Sequence, residues 1–208
     1  METECILQAI RAQAAAQPDA PAVLHVDGAA RLSYSYGRLI RDAYATARHL
    51  RSSAGLAKDG VVGLLSDEAP GVVIGFLAIA MACGVVVPLD PGAPEARLAA
   101  LLEDSAASLV LCDASWVAPI RSKLRSAGEP LSMLHMVALE TALAGGGESG
   151  SAVGGGSCSA VGDEWSPPSG SSLCHLIYTS GSTGRPKAVA VRHAALHAYC
   201  AAKLRAHA

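Results

Sequence analysis

The sequence has no asparagine and a single phenylalanine, Phe76, and aromatic residues make up only 4% of its 208 positions. Without asparagine there is no N-glycosylation acceptor. So few aromatics argue against an aromatic-rich β-sandwich. The 51% hydrophobic content, much of it alanine, suits helices packed closely on a sheet. Basic blocks are also missing. Sixteen Lys and Arg are scattered among 18 Asp and Glu, which leaves no electrostatic footprint for nucleic acid. The six cysteines, Cys5, Cys83, Cys112, Cys158, Cys174 and Cys200, form no C-x-x-C pair and no metal-ligand rhythm. That spacing favours reduced thiols in a cytoplasmic protein over a disulfide framework. Glu2 and Glu4 precede the first apolar positions, so no secretory or mitochondrial leader is expected.

One segment is long enough to cross a bilayer, since Ala69 to Leu89 is 21 residues without a charge. Pro70 and Gly71 open it and Gly84 interrupts it, however, and no basic flank marks a cytoplasmic side. A buried helix over 71–83, a glycine stop and a β-branched strand, Val85-Val-Val87 followed by Pro88, account for it without a membrane span.

An amphipathic N-terminal helix carries Ile6, Leu7 and Ile10. A hairpin pairs Val23–Val26 with Arg31–Tyr34 through Asp27-Gly28. A helix over 36–53 follows, with Leu39, Ile40, Tyr44, Ala47 and Leu50 on one face. Apolar runs then begin near Val61, Val85, Leu109 and Leu134, about 24 residues apart, with helical patterns over 71–83, 94–105 and 115–126 between them. This alternation predicts an α/β fold with a mainly parallel sheet and flanking helices. Residues 144–172 are rich in glycine and serine and read as a disordered insertion. It would divide an N-terminal α/β part (1–143) from a strand–loop–strand and the start of a helix (173–208).

The chemistry is concentrated in Tyr178-Thr-Ser-Gly-Ser-Thr-Gly-Arg-Pro-Lys187, directly after the apolar Leu176-Ile177. Hydroxyls, glycine backbone N–H groups and a terminal ammonium are what a clamp for a polyanion requires. It is not a Walker loop, because Gly181 and Gly184 are three apart and Pro186 precedes Lys187. It is not a dinucleotide fingerprint either, because no G-x-G-x-x-G lies on a strand–helix turn.

This stretch resembles the phosphate-binding signature of the adenylate-forming (AMP-binding) enzymes, above all the amino-acid adenylation domains of peptide synthetases. Gly84-Val-Val-Val-Pro-Leu-Asp-Pro-Gly-Ala-Pro-Glu-Ala-Arg-Leu98, with Leu102-Glu-Asp-Ser105, is similar to their upstream motif. Leu32-Ser-Tyr34 resembles their first core motif. The resemblance covers roughly residues 4–208. It implies the N-terminal part of the large domain of such an enzyme. The implied reaction activates a carboxylic acid, an amino acid foremost, as an acyl-adenylate from ATP and Mg2+ with release of pyrophosphate. Transfer to a phosphopantetheine thiol, on a carrier-protein domain or coenzyme A, would follow.

In the implied site Thr179, Ser180, Ser182 and Thr183 donate hydrogen bonds to the β- and γ-phosphates, Gly181 and Gly184 admit close backbone approach, and Lys187 balances charge on the leaving pyrophosphate. Magnesium would be held largely by the phosphates. Activation of a fatty or aryl acid for coenzyme A is the alternative within this class. A catalytically incompetent nucleotide-binding or interaction module is the alternative outside it. Two departures from the family pattern stand out. Ala188 follows the lysine where the family usually has glycine. The family's later ribose-binding, adenine-binding and C-terminal lysine segments do not appear, so the 208-residue chain is expected to be an incomplete portion, inactive alone.

Other residues carry weaker signals. His193 and His197, four apart on the last helix, are disfavoured as a metal pair because no third ligand is evident. Cys83 reads as a small core residue on an apolar helix face. Asp90, Glu103 and Asp104 read as turn and helix-end residues rather than paired acids.

Overall fold

The computed structural model describes residues 5–27, 30–67, 69–126, 131, 134–145, 167–179 and 186–206. The chain begins with helix α1 (Ile6–Ala16), the hairpin β1 (Pro21–Asp27) and β2 (Ala30–Ser35), and helix α2 (Tyr36–Ser52). Ser35 caps α2, its Oγ accepting the Arg38 N–H at 3.3 Å, and Leu39, Ile40, Ala43, Ala47 and Leu50 form the buried stripe. Ala43 takes the core position expected of Tyr44, which is only half-buried.

Then come β3 (Val61–Leu65), α3 (Ala69–Met81), β4 (Val85–Pro88), α4 (Glu95–Asp104), β5 (Leu109–Cys112), α5 (Ala114–Ser126), β6 (His135–Ala138) and α6 (Leu139–Gly145). The described chain closes with β7 (Leu173–Thr179), β8 (Lys187–Arg192) and α7 (His193–Ala206).

Six strands form one sheet in the order β6-β5-β3-β4-β7-β8, parallel except for the antiparallel β7–β8 pair. The predicted α/β class and mainly parallel sheet are therefore observed. Strands β3, β4 and β5 read as continuous apolar runs because both of their faces are covered. On β5, Leu109 and Leu111 join the core beneath α1, α2, α3 and α6, while Val110 and Cys112 join the core shared with α4 and α5. Strand β8 lies on the outer edge of the sheet. Residues 146–166, most of the expected insertion, lie outside the described residues.

The uncharged stretch resolves as foreseen, into a short core helix and a strand. Nine of the 13 residues of α3 are buried, and among the described residues no helix is long and apolar enough to cross a membrane. Its end differs from expectation in one respect. Cys83 does not sit on the helix but just beyond it, half-buried, with φ 59°. Gly84 N–H donates to the Ile79 carbonyl at 2.9 Å and Cys83 N–H to that of Ala80 at 3.1 Å, the double closure of a Schellman turn. Gly84 is needed for a different reason: a Cβ there would lie 3.2 Å from the carbonyl oxygens of Gly60 and Ile79.

A left-handed backbone costs a non-glycine residue about 1–2 kcal/mol. That exceeds the unfolded-state freedom glycine adds, about 0.5–1 kcal/mol. Cys83→Gly is therefore expected to raise the melting temperature by roughly 2 °C, as read by thermal unfolding. An unchanged or lower value would show that the thiol's packing outweighs the strain.

Helix α6 has no counterpart in the sequence reading, which gives no element between the strand near Leu134 and the glycine-rich stretch. Its Glu140 Oε2 accepts the Ala114 N–H at 2.8 Å and so caps α5 from a different helix.

Candidate functional site

The parallel strands β3, β4, β5 and β6 all end at the same side of the sheet, and β7, in parallel register with β4 at Val86↔His175, ends there too. Ligands of open α/β sheets bind outside these carboxyl ends. The hydroxyl-rich stretch leaves from this side. β7 and β8 pair in the register Tyr178↔Ala188 and Thr179↔Lys187, so the ends of the expected clamp are cross-strand neighbours. Thr179 Oγ1 makes a long hydrogen bond, 3.5 Å, to the Lys187 carbonyl oxygen, and both residues are exposed. The other expected donors and glycines, Ser180, Gly181, Ser182, Thr183 and Gly184, lie outside the described residues.

The upstream motif converges on the same place. After β4, Asp90 closes an Asx turn by accepting the Gly92 N–H at 2.8 Å, the turn role assigned to it from sequence. Asp104 does more than end its helix. Its Oδ2 accepts the Tyr178 hydroxyl at 2.7 Å. Burial first, and then Asp104, push the Tyr178 phenol up to about 12, so it remains a donor at neutral pH. The sequence singled out Leu102-Glu-Asp-Ser105 and the loop separately. Nothing in their spacing joins them, because 74 residues separate the two partners.

The other titratable candidates are structural. The His193 ring is fully buried with Nδ1 3.3 Å from Cys5 Sγ, which fastens α7 to the start of α1. Burial holds the His193 and His175 imidazoles below the ordinary histidine range. His193 Nε2 and His175 Nδ1 have no hydrogen-bond partner among the described residues. Among those residues no group of three or more His, Cys, Asp or Glu is placed to hold a metal ion. The Cys112 and Cys174 thiols are pushed up to about 12 by burial and are inert as nucleophiles.

The open end of the β7–β8 pair is thus set at the carboxyl-end side of the parallel strands. The sequence of residues 10–208 matches the model of the AMP-binding enzyme family. The chain belongs to this AMP-binding family. A plipastatin synthase component of Bacillus subtilis is 36% identical over 181 residues, covering 87% of this chain and 6% of that protein. The nonribosomal peptide synthetase ecdA of Aspergillus rugulosus is 31% identical over 192 residues, 92% of this chain and 2% of its own length. In fold, the chain resembles the N-terminal subdomain of Klebsiella oxytoca NpsA, with a TM-score of 0.68 at 19% identity, over 93% of this chain and 41% of that one. This AMP-binding chain therefore spans a small part of the two synthetases and less than half of that subdomain.

Proposed function

We propose that these residues form the phosphate-gripping part of an enzyme that activates a carboxylic acid, an amino acid foremost, as an acyl-adenylate. The observation that supports this reading is the Thr179↔Lys187 pairing at the carboxyl edge of the sheet, which sets a hydroxyl and an ammonium at the two ends of one glycine-containing loop. Mg-ATP is the co-substrate. The acid's carboxylate oxygen attacks the α-phosphorus, the bond from that phosphorus to the bridging oxygen breaks, and pyrophosphate leaves with the electron pair.

The chain's part is positioning and charge compensation. Thr179, Ser180, Ser182 and Thr183 donate to the β- and γ-phosphate oxygens, and Gly181 and Gly184 let backbone N–H groups approach. Lys187, exposed and free to extend, balances the charge growing on pyrophosphate. A magnesium ion would be carried largely by the phosphates. Residues 1–143 and 173–208 serve together as one half of the large domain, interrupted by the segment 144–172. The acyl group passes afterwards to a phosphopantetheine thiol on a carrier protein, in the cytoplasm where ATP is supplied.

Calorimetric titration with Mg-ATP tests the reading. Binding is expected, with pyrophosphate competing and AMP competing poorly. Lys187→Ala is expected to weaken Mg-ATP at least tenfold, the value of a charge-assisted hydrogen bond of about 1.5–3 kcal/mol. A wild-type chain that ignores Mg-ATP, or a Lys187→Ala variant that binds as well as wild type, would refute it.

A further inference from the structure

We propose that Asp104 is a positioning residue for the phosphate loop, acting through Tyr178. Tyr178 immediately precedes Thr179, the residue from which the loop departs. On its β4 side β7 is laddered by the single pair Val86↔His175, well before Tyr178, and its other neighbour, β8, is the edge strand among the described residues. The Tyr178 side chain adds an anchor on the side facing α4. Together with Leu176 it packs on the apolar cluster containing Leu98, Leu101 and Leu102 of α4, and its hydroxyl reaches the Asp104 carboxylate at 2.7 Å.

The placement of that acid argues for a purpose. Asp104 is the last residue of α4, where the carbonyl ends of the helix disfavour negative charge, and no basic residue occupies the last turn. An acid there weakens the helix that carries it and gains only what it accepts. The next residue, Ser105, is engaged elsewhere, its Oγ donating to the Leu102 carbonyl at 3.3 Å. Asp104 is therefore the residue at the end of α4 that meets the side chain at the base of the loop. The strut links the upstream motif to the clamp and fixes where Thr179 and Lys187 stand.

This inference rests on reading the loop as the phosphate grip, and the test separates the two. Hydrogen exchange across residues 177–179 and 187–189 is measured without nucleotide in the full chain, for wild type, Asp104→Ala, Asp104→Asn, Tyr178→Phe and the Asp104→Ala/Tyr178→Phe pair. Asp104→Ala and Tyr178→Phe are each expected to speed exchange there about fivefold. The pair should do no more than either single change, and Asp104→Asn, which keeps an acceptor oxygen, should restore most of the protection. Mg-ATP affinity should fall by a similar factor in the same variants. The melting temperature of Asp104→Ala should hold or rise, because a charge unfavourable to the helix has gone. Additive effects, unchanged exchange, or a melting temperature that falls in step with exchange would overturn the strut. Altered exchange in a chain that binds no Mg-ATP would leave the strut standing and refute the phosphate-grip reading.

Discussion

Leu111→Ala is expected to remove roughly 3–5 kcal/mol of unfolding free energy, the upper range for a leucine lost from a core. Leu111 has no exposed surface and lies on β5, flanked by β3 and β6. It meets α3 where that helix carries Gly75: a methyl group added there would lie 3.4 Å from Leu111 Cδ2 and would overlap the Leu64 side chain. Leucines from two strands thus fill the space the glycine leaves. The backbone around them is fixed by parallel ladders on both sides, so it cannot collapse into the hole. Domains of this size have total stabilities of about 5–15 kcal/mol, so this one truncation consumes a large share. In urea the midpoint should fall while the slope stays constant. A loss below about 1 kcal/mol would mean that α3 is not seated on the sheet as described.

The second large effect is acid sensitivity. His175 and His193 are both buried, and burial lowers both of their pKa values below the ordinary 6.5. For His193, the neighbouring His175 adds a smaller push in the same direction. The unfolded chain binds these protons first as pH falls, so stability is fully present above pH 6.5. It is lost progressively below that, until the folded state is protonated too. A histidine pKa lowered by one unit contributes about 1.4 kcal/mol to this loss.

Asp113 opposes part of it. Burial raises its carboxyl, so it recovers stability as pH falls through that raised value. On the alkaline side the sign reverses for the thiols. Cys112 and Cys174, held at about 12, make stability decline as pH rises past the ordinary thiol value of 9.0. Urea midpoints should therefore be highest near neutrality and drop steeply from pH 6.5 to 5. His175→Phe keeps an aromatic ring against Phe76, whose centroid is 5.8 Å away, and should flatten the acid limb. A midpoint constant between pH 7 and 5 would contradict the burial-based account.

Much of this was legible in residue order because it depends on local pattern. The alternation of β-branched runs with helical stripes gave the parallel sheet, and proline and glycine around Ala69–Leu89 gave a core helix in place of a span. What stayed hidden depends on chain folding back from far away. Helix α6 is seven residues long, too short for periodicity to declare, and its Glu140 has a role only because α5 lies beside it. Asp104 shows a motif position and a helix end in sequence but not its partner, because Tyr178 comes from β7, 74 residues further on. Cys83 misled for a subtler reason: glycine is the usual left-handed residue after a helix. Here the glycine one position later is required by crowding against Gly60, and the cysteine takes the strained angle.

The position of β8 at the rim of the sheet also bears on how the chain behaves in a tube. Its outer backbone groups have no strand beside them among the described residues, and Val189 faces Ile177 across the β7–β8 pair with both half open to water. Tyr199 and Leu204 of α7 are exposed apolar side chains as well. An open rim of this kind is a template on which any extended segment can dock, including the same strand of another molecule. Solubility on concentration is therefore governed at this rim rather than in the well-filled interior. A charge introduced at Val189 would protect the chain more than any repair of the core.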